Sequence, residues 1–581
     1  MNKLIYTDEC KEVINNDAKI DINKYLVNSN IDERSFYFLK HLENQQVNGE
    51  QIEDLFMYDG IPLYYFNRPT IFLKLKSLIT CTTILQRIIE EYGKEFSVET
   101  DNEVMKVTAE KIFNLKTLEV SKASSTESNN PGGVNSKLKY KLIYRQIFGI
   151  LKYLKFKMHK NKDTSMLICS HAGSLNLVQD ASKNKLYYDT QIGLVTEKCR
   201  SKFNILNLQL LNSVELIDKT FNCNEDFVPF ELFIVYKRLV SSRIFGKRLI
   251  DESKYKDNLS MLLNFNYEFE SCDLKEIMLS YILGDLKHQS KSYLIETLSA
   301  ERLMKKNKIE RCLIIDEGDR GRCFIIAANR LGIKSFASQH GVINENSPAY
   351  AITSRFGKLI VPSATFFWGQ KYKELLIENS NVYNDKNIKV AGQVRTDFLF
   401  NRKYDNTELK SHSMKILYCT QYFKDLLEPA TIMLFKALNL LKEPYDLIIK
   451  LHPIDLYYDF YMEKIEEYNI SNVKVLKDGD LYDMINWSDI IVSVHSTVVV
   501  EGALLNRPSI CILLPKYNDA GGFVRDGLSL GVSSETELAQ KLVKLKDFDI
   551  KDDENVKQYL CENFYKVDGN VSERIFNIIG D

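Results

Sequence analysis

Polar clusters that could do chemistry recur in this chain at the ends of short apolar runs. The densest lies between Asp489 and Pro508. Ile490 to Val492 predict a buried strand, and Ser493, His495, Ser496 and Thr497 crowd the turn after it. Val498 to Leu505 then predict a helix. Small hydroxyls and unpaired backbone N–H groups at a helix start favour an anion, because the dipole and the free donors act together. Glu501 falls one turn into that helix, within reach of a ribose if phosphate occupies the cap. The expected ligand is a nucleotide monophosphate or diphosphate.

Other clusters share this setting: Ser170-His171-Ala172-Gly173-Ser174, Asp316-Glu317-Gly318, Gln339-His340-Gly341, Gly392 with Arg395-Thr396-Asp397, and Leu451-His452-Pro453. A parallel sheet places its ligands at the carboxyl ends of its strands. A lone loop histidine such as His171 is more often incidental.

These clusters need two sheets to hold them. Short strands are predicted at Met166–Ser170, Phe203–Leu208, Cys312–Ile315, Lys334–Ala337, Leu359–Val361, Thr365–Trp368 and Ile388–Ala391, with helices between several of them. After a polar linker near residues 400–412 a second set begins: Ile416–Cys419, Leu447–Lys450, Val473–Leu476, Ile490–Val492 and Ile510–Leu514. The fold class expected is α/β, two Rossmann-like halves facing across a cleft. The division expected is a helical extension over 1–60, a first Rossmann-like domain over 61–405 and a second over 406–581. The first domain would carry a flexible loop (121–136), a basic helix (137–162) and a helical insertion (211–309).

At 581 residues the chain exceeds one core, and its 45 % hydrophobic and 27 % charged content is ordinary for globular protein. A net charge of -1 argues against a general nucleic-acid binder. Eleven cysteines lie scattered without CxxC pairs, which suits buried thiols in a reducing compartment. The N-terminus has no signal-peptide core, and no run approaches the ~18 apolar residues that span a bilayer. A cytoplasmic location follows as the expectation, with room for peripheral attachment to the inner face of the membrane. Residues 137–162 contain eight lysines, one arginine and no acid, interleaved with aliphatic and aromatic residues. Two readings suit such a run: a core-packing helix with solvated lysines, or a helix lying on an anionic membrane surface.

Over roughly residues 310–515 the motifs resemble GT-B fold bacterial transferases of surface-polysaccharide synthesis. The likeness is greatest to CDP-glycerol glycerophosphotransferases, with similar marks in CMP-sialic acid and CMP-Kdo transferases. Gln339-His340-Gly341 resembles the His-Gly turn of the acceptor side, although that family tends to have Trp where Gln339 stands. Gly392 with Arg395-Thr396-Asp397 resembles the segment before the domain crossover. His452-Pro453 resembles the pair whose His meets donor phosphate. Ser496-Thr497 with Glu501 resembles the hydroxyls and acid that bind donor phosphate and ribose. Asp316-Glu317-Gly318 resembles the sialyltransferase motif in which an acid is the base.

The resemblance implies an inverting, metal-independent glycosyltransferase or polyol-phosphate transferase with a CMP- or CDP-linked donor, in capsule or other surface polysaccharide synthesis. Its partners would be a nucleotide-sugar or nucleotide-polyol donor and a glycan or lipid-linked acceptor, without a cofactor. The donor site would comprise His452, Pro453, Ser493, His495, Ser496, Thr497, Glu501 and Arg395, with His452 also stabilising the leaving group. His340, Glu317 and Asp316 compete to be the base. No metal is expected, although Asp478-Gly479-Asp480 keeps one open. A sugar-nucleotide epimerase of the same fold and a non-catalytic glycan-binding scaffold are the alternatives.

Overall fold

The computed structural model describes every residue except 1, 8–10, 16–17, 120–135, 159–160, 180–184, 212, 224–225, 233–249, 285, 402–412, 516 and 547. The expected loop 121–136 (apart from Ser136), most of the expected linker and residues 233–249 of the expected helical insertion lie outside the described residues.

Two parallel sheets carry the architecture. In the first, seven strands run in the order Val228–Pro229, Asn204–Leu210, Ser165–His171, Ile309–Ile314, Lys334–Ser338, Ala364–Phe367, Ile388–Val390. All pair in parallel. The second has six parallel strands in the order Val473–Leu476, Tyr445–Lys450, Met414–Cys419, Ile490–Ser493, Ser509–Ile512, Leu530–Val532. In each sheet the strand first in sequence lies third in space, and winding reverses beside it. Such a reversal opens a crevice at the strand ends, where ligands bind. The strands read as continuous apolar runs because helices cover both faces.

Several expectations give way. Residues 1–60 are helical only in part: Asn2–Tyr6, Lys11–Asn15 and Ala18–Asp21 form an antiparallel meander ahead of the helix Ile31–Asn44. The first of these pairs in parallel with Phe96–Thr100, which pairs with Lys116–Glu119, closing a five-stranded sheet. Tertiary pairing overrides the helix-prone composition there, because long-range partners decide strand formation more than local propensity does. Leu359–Val361 is not a strand. Gly357–Ile360 forms one helical turn whose Ile360 carbonyl accepts from Arg322 (2.6 Å). A three-residue apolar run has no period to distinguish the two states. Among its described residues, region 211–309 is only partly helical: it holds strands of two or three residues and short helices before the long helix Leu286–Asn307.

The chain end also departs from a simple second domain. The helix Val571–Gly580 packs back on the first sheet, and Val571, Ile575 and Ile579 share a core with Ile168, Leu313 and Phe366. Asp397 holds its start, accepting from Val571 N–H (3.0 Å), Ser572 N–H (2.8 Å) and the Ser572 hydroxyl (2.7 Å). A carboxylate there satisfies orphan donors and favours the helix dipole. Gly392, at φ +102, sits against this helix, and a Cβ there would come within 2.8 Å of Val571 Cγ2. The Gly392–Asp397 motif is therefore a dock for the returning helix.

Asp397→Ala should weaken this dock by roughly 1–3 kcal/mol. Hydrogen exchange of 571–580 would read it as faster exchange confined to that helix. Unchanged exchange there would refute the capping role.

Candidate active site

Each crevice gathers a different set of groups. In the second sheet, Thr420 follows the first strand and Ser493 ends the fourth. Thr420 Oγ1 accepts from His452 N–H (3.0 Å) and donates to Asp455 Oδ2 (2.9 Å), to which Tyr461 OH also donates (2.8 Å). This lattice fixes the loop that carries His452 and Pro453. A cavity of about 90 Å³ opens beside it, walled by Lys450, His452, Pro453, Lys477 and Ser496 of the second domain and by Asn176, Tyr187 and Lys219 of the first.

The pocket is cationic. Lys450 and His452 are alternate residues leaving one strand, so their side chains share a face. Lys450 Nζ donates to the carbonyls of Leu451 (2.8 Å) and Lys477 (2.9 Å). Burial, with Lys219 and Lys477 nearby, pushes the Lys450 ammonium down to about 8. Burial and then Lys450 push His452 down to about 4. Its imidazole is thus neutral at pH 7. Nδ1 accepts from Ile454 N–H (3.3 Å), so the ring proton sits on Nε2 and is available to a ligand. Tyr422 lies against the ring at 4.8 Å.

The expected phosphate cap is only partly as predicted. Ser496 lines the cavity, its Oγ accepting from Val498 N–H (3.3 Å). Thr497 begins the helix Val498–Leu504 without a side-chain cap. Ser493 is buried and donates to the Cys419 carbonyl (2.8 Å), so it faces the sheet rather than a ligand. His495 turns toward Tyr517, with ring centres 6.0 Å apart, and is not among the cavity-lining residues. The helix is seven residues long. Lysines, rather than the dipole of this short helix, supply the positive charge of the pocket.

Glu501 is buried and paired with Arg395, joining the two domains. Its Oε2 and Arg395 Nε have no hydrogen-bond partner. The pairing directs both residues first at each other. Asp478 and Asp480 do not converge. Asp478 meets Tyr187 OH (3.3 Å) and Lys219, whereas Asp480 caps the helix Leu481–Trp487 through Tyr482 N–H (3.0 Å). Among the described residues no group of three or more metal-ligating side chains occurs.

In the first sheet the crevice lies between Ser165–His171 and Ile309–Ile314. His171 and Asp316 stand at its two lips, and His340 follows the neighbouring strand. His340 is open to solvent yet closely surrounded by protein. Burial lowers its pKa, Asp316 opposes this, and His171 adds to it. His171 Nδ1 is buried without a partner. Asp189 joins the group from the strand Lys185–Asp189; burial raises its pKa, and His171 partly offsets that rise. Asp189 also lies within electrostatic reach of Arg395, so this cluster continues to the Arg395–Glu501 pair.

Glu317 is not in the crevice. It is fully buried, accepting from Thr365 Oγ1 (2.6 Å) and Tyr383 OH (2.6 Å), and burial raises its pKa against the pull of Arg322. Successive residues of an extended segment point oppositely, so Asp316 and Glu317 cannot both reach the cleft. Gln339 is likewise internal: Oε1 accepts from Trp368 N–H (3.0 Å) and Nε2 donates to the Gly341 carbonyl (2.8 Å).

The sequence reading missed Lys219, Lys450, Lys477, Tyr187 and Asp189. Strand alternation could have flagged Lys450 beside His452. No local pattern could have brought Lys219 across from the first domain.

Residues 366–581 match the family model of CDP-Glycerol:Poly(glycerophosphate) glycerophosphotransferase. No curated protein sequence matches the chain. Among solved structures, the S. aureus MnaA–UDP co-structure aligns at 12% identity and TM-score 0.44, covering 72% of this chain and 95% of that one. The UDP-GlcNAc 2-epimerase from Neisseria meningitidis bound to UDP-GlcNAc aligns at 12% and 0.44, covering 72% and 100%. CalG4, the calicheamicin glycosyltransferase, aligns at 9% and 0.42, covering 72% and 98%. Similarity at that level says nothing of activity. The family match bears out the resemblance carried by the C-terminal motifs. Residues 366–581 are thus similar to a family of nucleotide-linked glycerophosphotransferases, and they are carried on an architecture of two parallel α/β sheets.

Replacing Lys450 by Met removes the nearest cation from His452. The His452 titration should rise by roughly one pH unit, followed by NMR of its ring Cε1–H. A titration that stays near its wild-type value would show that burial alone depresses it.

Proposed function

We propose that the protein transfers a sugar or polyol phosphate from a cytidine-nucleotide donor to an acceptor hydroxyl in cell-surface polymer synthesis. The observation that carries this is the cationic pocket at the second crevice. Lys219, Lys450, Lys477 and His452 line it beside Ser496, with Asp478 the one acid among the lining residues. Transfer leaves negative charge on the departing nucleotide, and fixed donors in a partly dehydrated site stabilise it. The family model supports a CDP-linked donor, because its name specifies CDP-glycerol.

In the proposed step the acceptor oxygen attacks the transferred group while its bond to the nucleotide breaks. The nucleotide leaves with the electron pair, held by the lysines and His452. The acceptor proton passes to His340, oriented by Asp316. A single displacement of this kind inverts a sugar carbon. Oε2 of Glu501 accepts a hydroxyl of the donor. The acceptor, a glycan or lipid-linked chain, enters along the first domain. Glu317 has no part in proton transfer.

The donor assignment is tested by thermal shift with CMP-, CDP-, UDP- and GDP-linked compounds, followed by nucleotide release with and without acceptor. A cytidine-specific shift with acceptor-dependent release is expected. Donor conversion without acceptor would indicate an epimerase instead, and no shift with any nucleotide would overturn both enzyme readings. His452→Ala should lower turnover on the order of 10²-fold.

The base assignment is tested separately. His340→Ala should lower kcat by about 10²–10⁴, whereas a folded Glu317→Gln variant should retain the wild-type pH profile. Because the His340 pKa lies below its ordinary value, the base is unprotonated at pH 7. The rate should therefore fall only as pH drops through that lowered pKa. An unaltered rate in His340→Ala would refute the role.

A further inference from the structure

The helix Ser136–Met158 leaves an apolar stripe open to solvent. Tyr140, Tyr144, Ile147, Leu151, Leu154 and Met158 recur at alternating spacings of four and three, and each is between 49% and 73% exposed. Such spacing puts them on one face. The opposite face is fixed to the protein. Arg145 is buried and donates to the Gln209 carbonyl (3.1 Å), and a Cβ on Gly149 would come within 2.2 Å of Pro229 Cδ. The helix therefore cannot rotate to hide its stripe.

Lysines border the stripe on both edges. Lys139 and Lys157 lie along one, Lys141, Lys152 and Lys155 along the other, and the helix contains no acid. Asp218 pairs with Lys141, and Asp226 with Lys152 and Lys155, so five lysines meet two aspartates. Lys306, in the last turn of the neighbouring helix, lies close to Lys157 and adds to the excess. No helix among the described residues is long and apolar enough to cross a membrane.

We propose that this face docks the protein in-plane on an anionic lipid surface, its apolar stripe in the acyl boundary and its lysines at the headgroups. An apolar face bordered by cations is the composition that binds such interfaces. Tyrosines at one end suit the headgroup level. A second copy would fit the three–four spacing but not the charge. Pairing two such helices brings lysine edges together, with no acid on either helix to offset them.

The docked helix adjoins the donor pocket. Lys141 pairs with Asp218 and Tyr144 stacks edge-on with Phe221 at 5.4 Å, both on the helix Ile217–Phe221. Lys219 of that same helix lines the pocket. Docking thus brings the pocket beside the bilayer, whatever the donor proves to be.

Flotation of the full chain tests this with vesicles of phosphatidylglycerol and phosphatidylcholine in equal parts, against phosphatidylcholine alone. The wild type should float with the anionic vesicles and less so at high salt. Ile147→Asp with Leu151→Asp should reduce partitioning roughly tenfold or more. Lys139→Glu with Lys155→Glu should do likewise on anionic vesicles. All four positions are exposed, and circular dichroism verifies the fold. Equal flotation of wild type and the lysine variant overturns the proposal, as does failure of the wild type to bind. A solution dimer that the aspartate variant dissociates would name a second copy as the occupant and overturn it too.

Discussion

Burial of several cations side by side, with Asp478 the one acid among the lining residues, is the constraint around which the pocket is built. Lys450 is held in place by two carbonyls and cannot swing into solvent without losing them. Its neighbours Lys219 and Lys477 disfavour its charge, and it disfavours protonation of His452. A ligand with two negative charges relieves all of these at once, whereas a neutral sugar relieves none. Confined positive charge is therefore the dominant electrostatic feature of this pocket. The seven-residue helix beside it contributes a hydroxyl from Ser496 and little field.

That confinement depends on the two domains keeping their distance. Lys219 belongs to the first domain and Lys450 to the second. Their separation is governed by the buried Arg395–Glu501 pair and by the return of the last helix onto the first sheet. A buried ion pair is weak evidence for stability but strongly specifies geometry, since separating its members exposes uncompensated charge. Arg395 and Asp397 stand two residues apart and fix the two crossings, one through Glu501 and one through the start of the returning helix. The Gly392–Asp397 segment is thus mechanical in role, linking cleft geometry to the end of the chain.

A similar division of labour appears in the opposing crevice. Glu317 and Asp316 are adjacent acids, yet only Asp316 faces His340. The Glu317 carboxyl anchors Thr365 and Tyr383 beneath the crevice floor. Gln339 and His340 divide in the same manner, Gln339 locking Trp368 and His340 facing solvent. Each motif pairs one residue that fixes the backbone with one that can meet a substrate.

Most strands of both sheets were legible in the sequence because buried parallel strands are continuous apolar runs bounded by turn residues, whereas the short edge strands Val228–Pro229 and Leu530–Val532 carry no such run. His340, His452 and Ser496 were legible because they end such runs. The sequence also determined the stripe and lysines of the helix 136–158, since a helical period fixes which residues share a face. Only the tertiary structure decided that this stripe stays exposed, since periodicity does not reveal what covers a face. It likewise turned Ser493 and Glu317 inward, paired Glu501 with Arg395, set the strand Asn2–Tyr6 against Phe96–Thr100 and carried Lys219 across the cleft. Each of these rests on a partner tens to hundreds of residues away, and local composition holds no record of such partners.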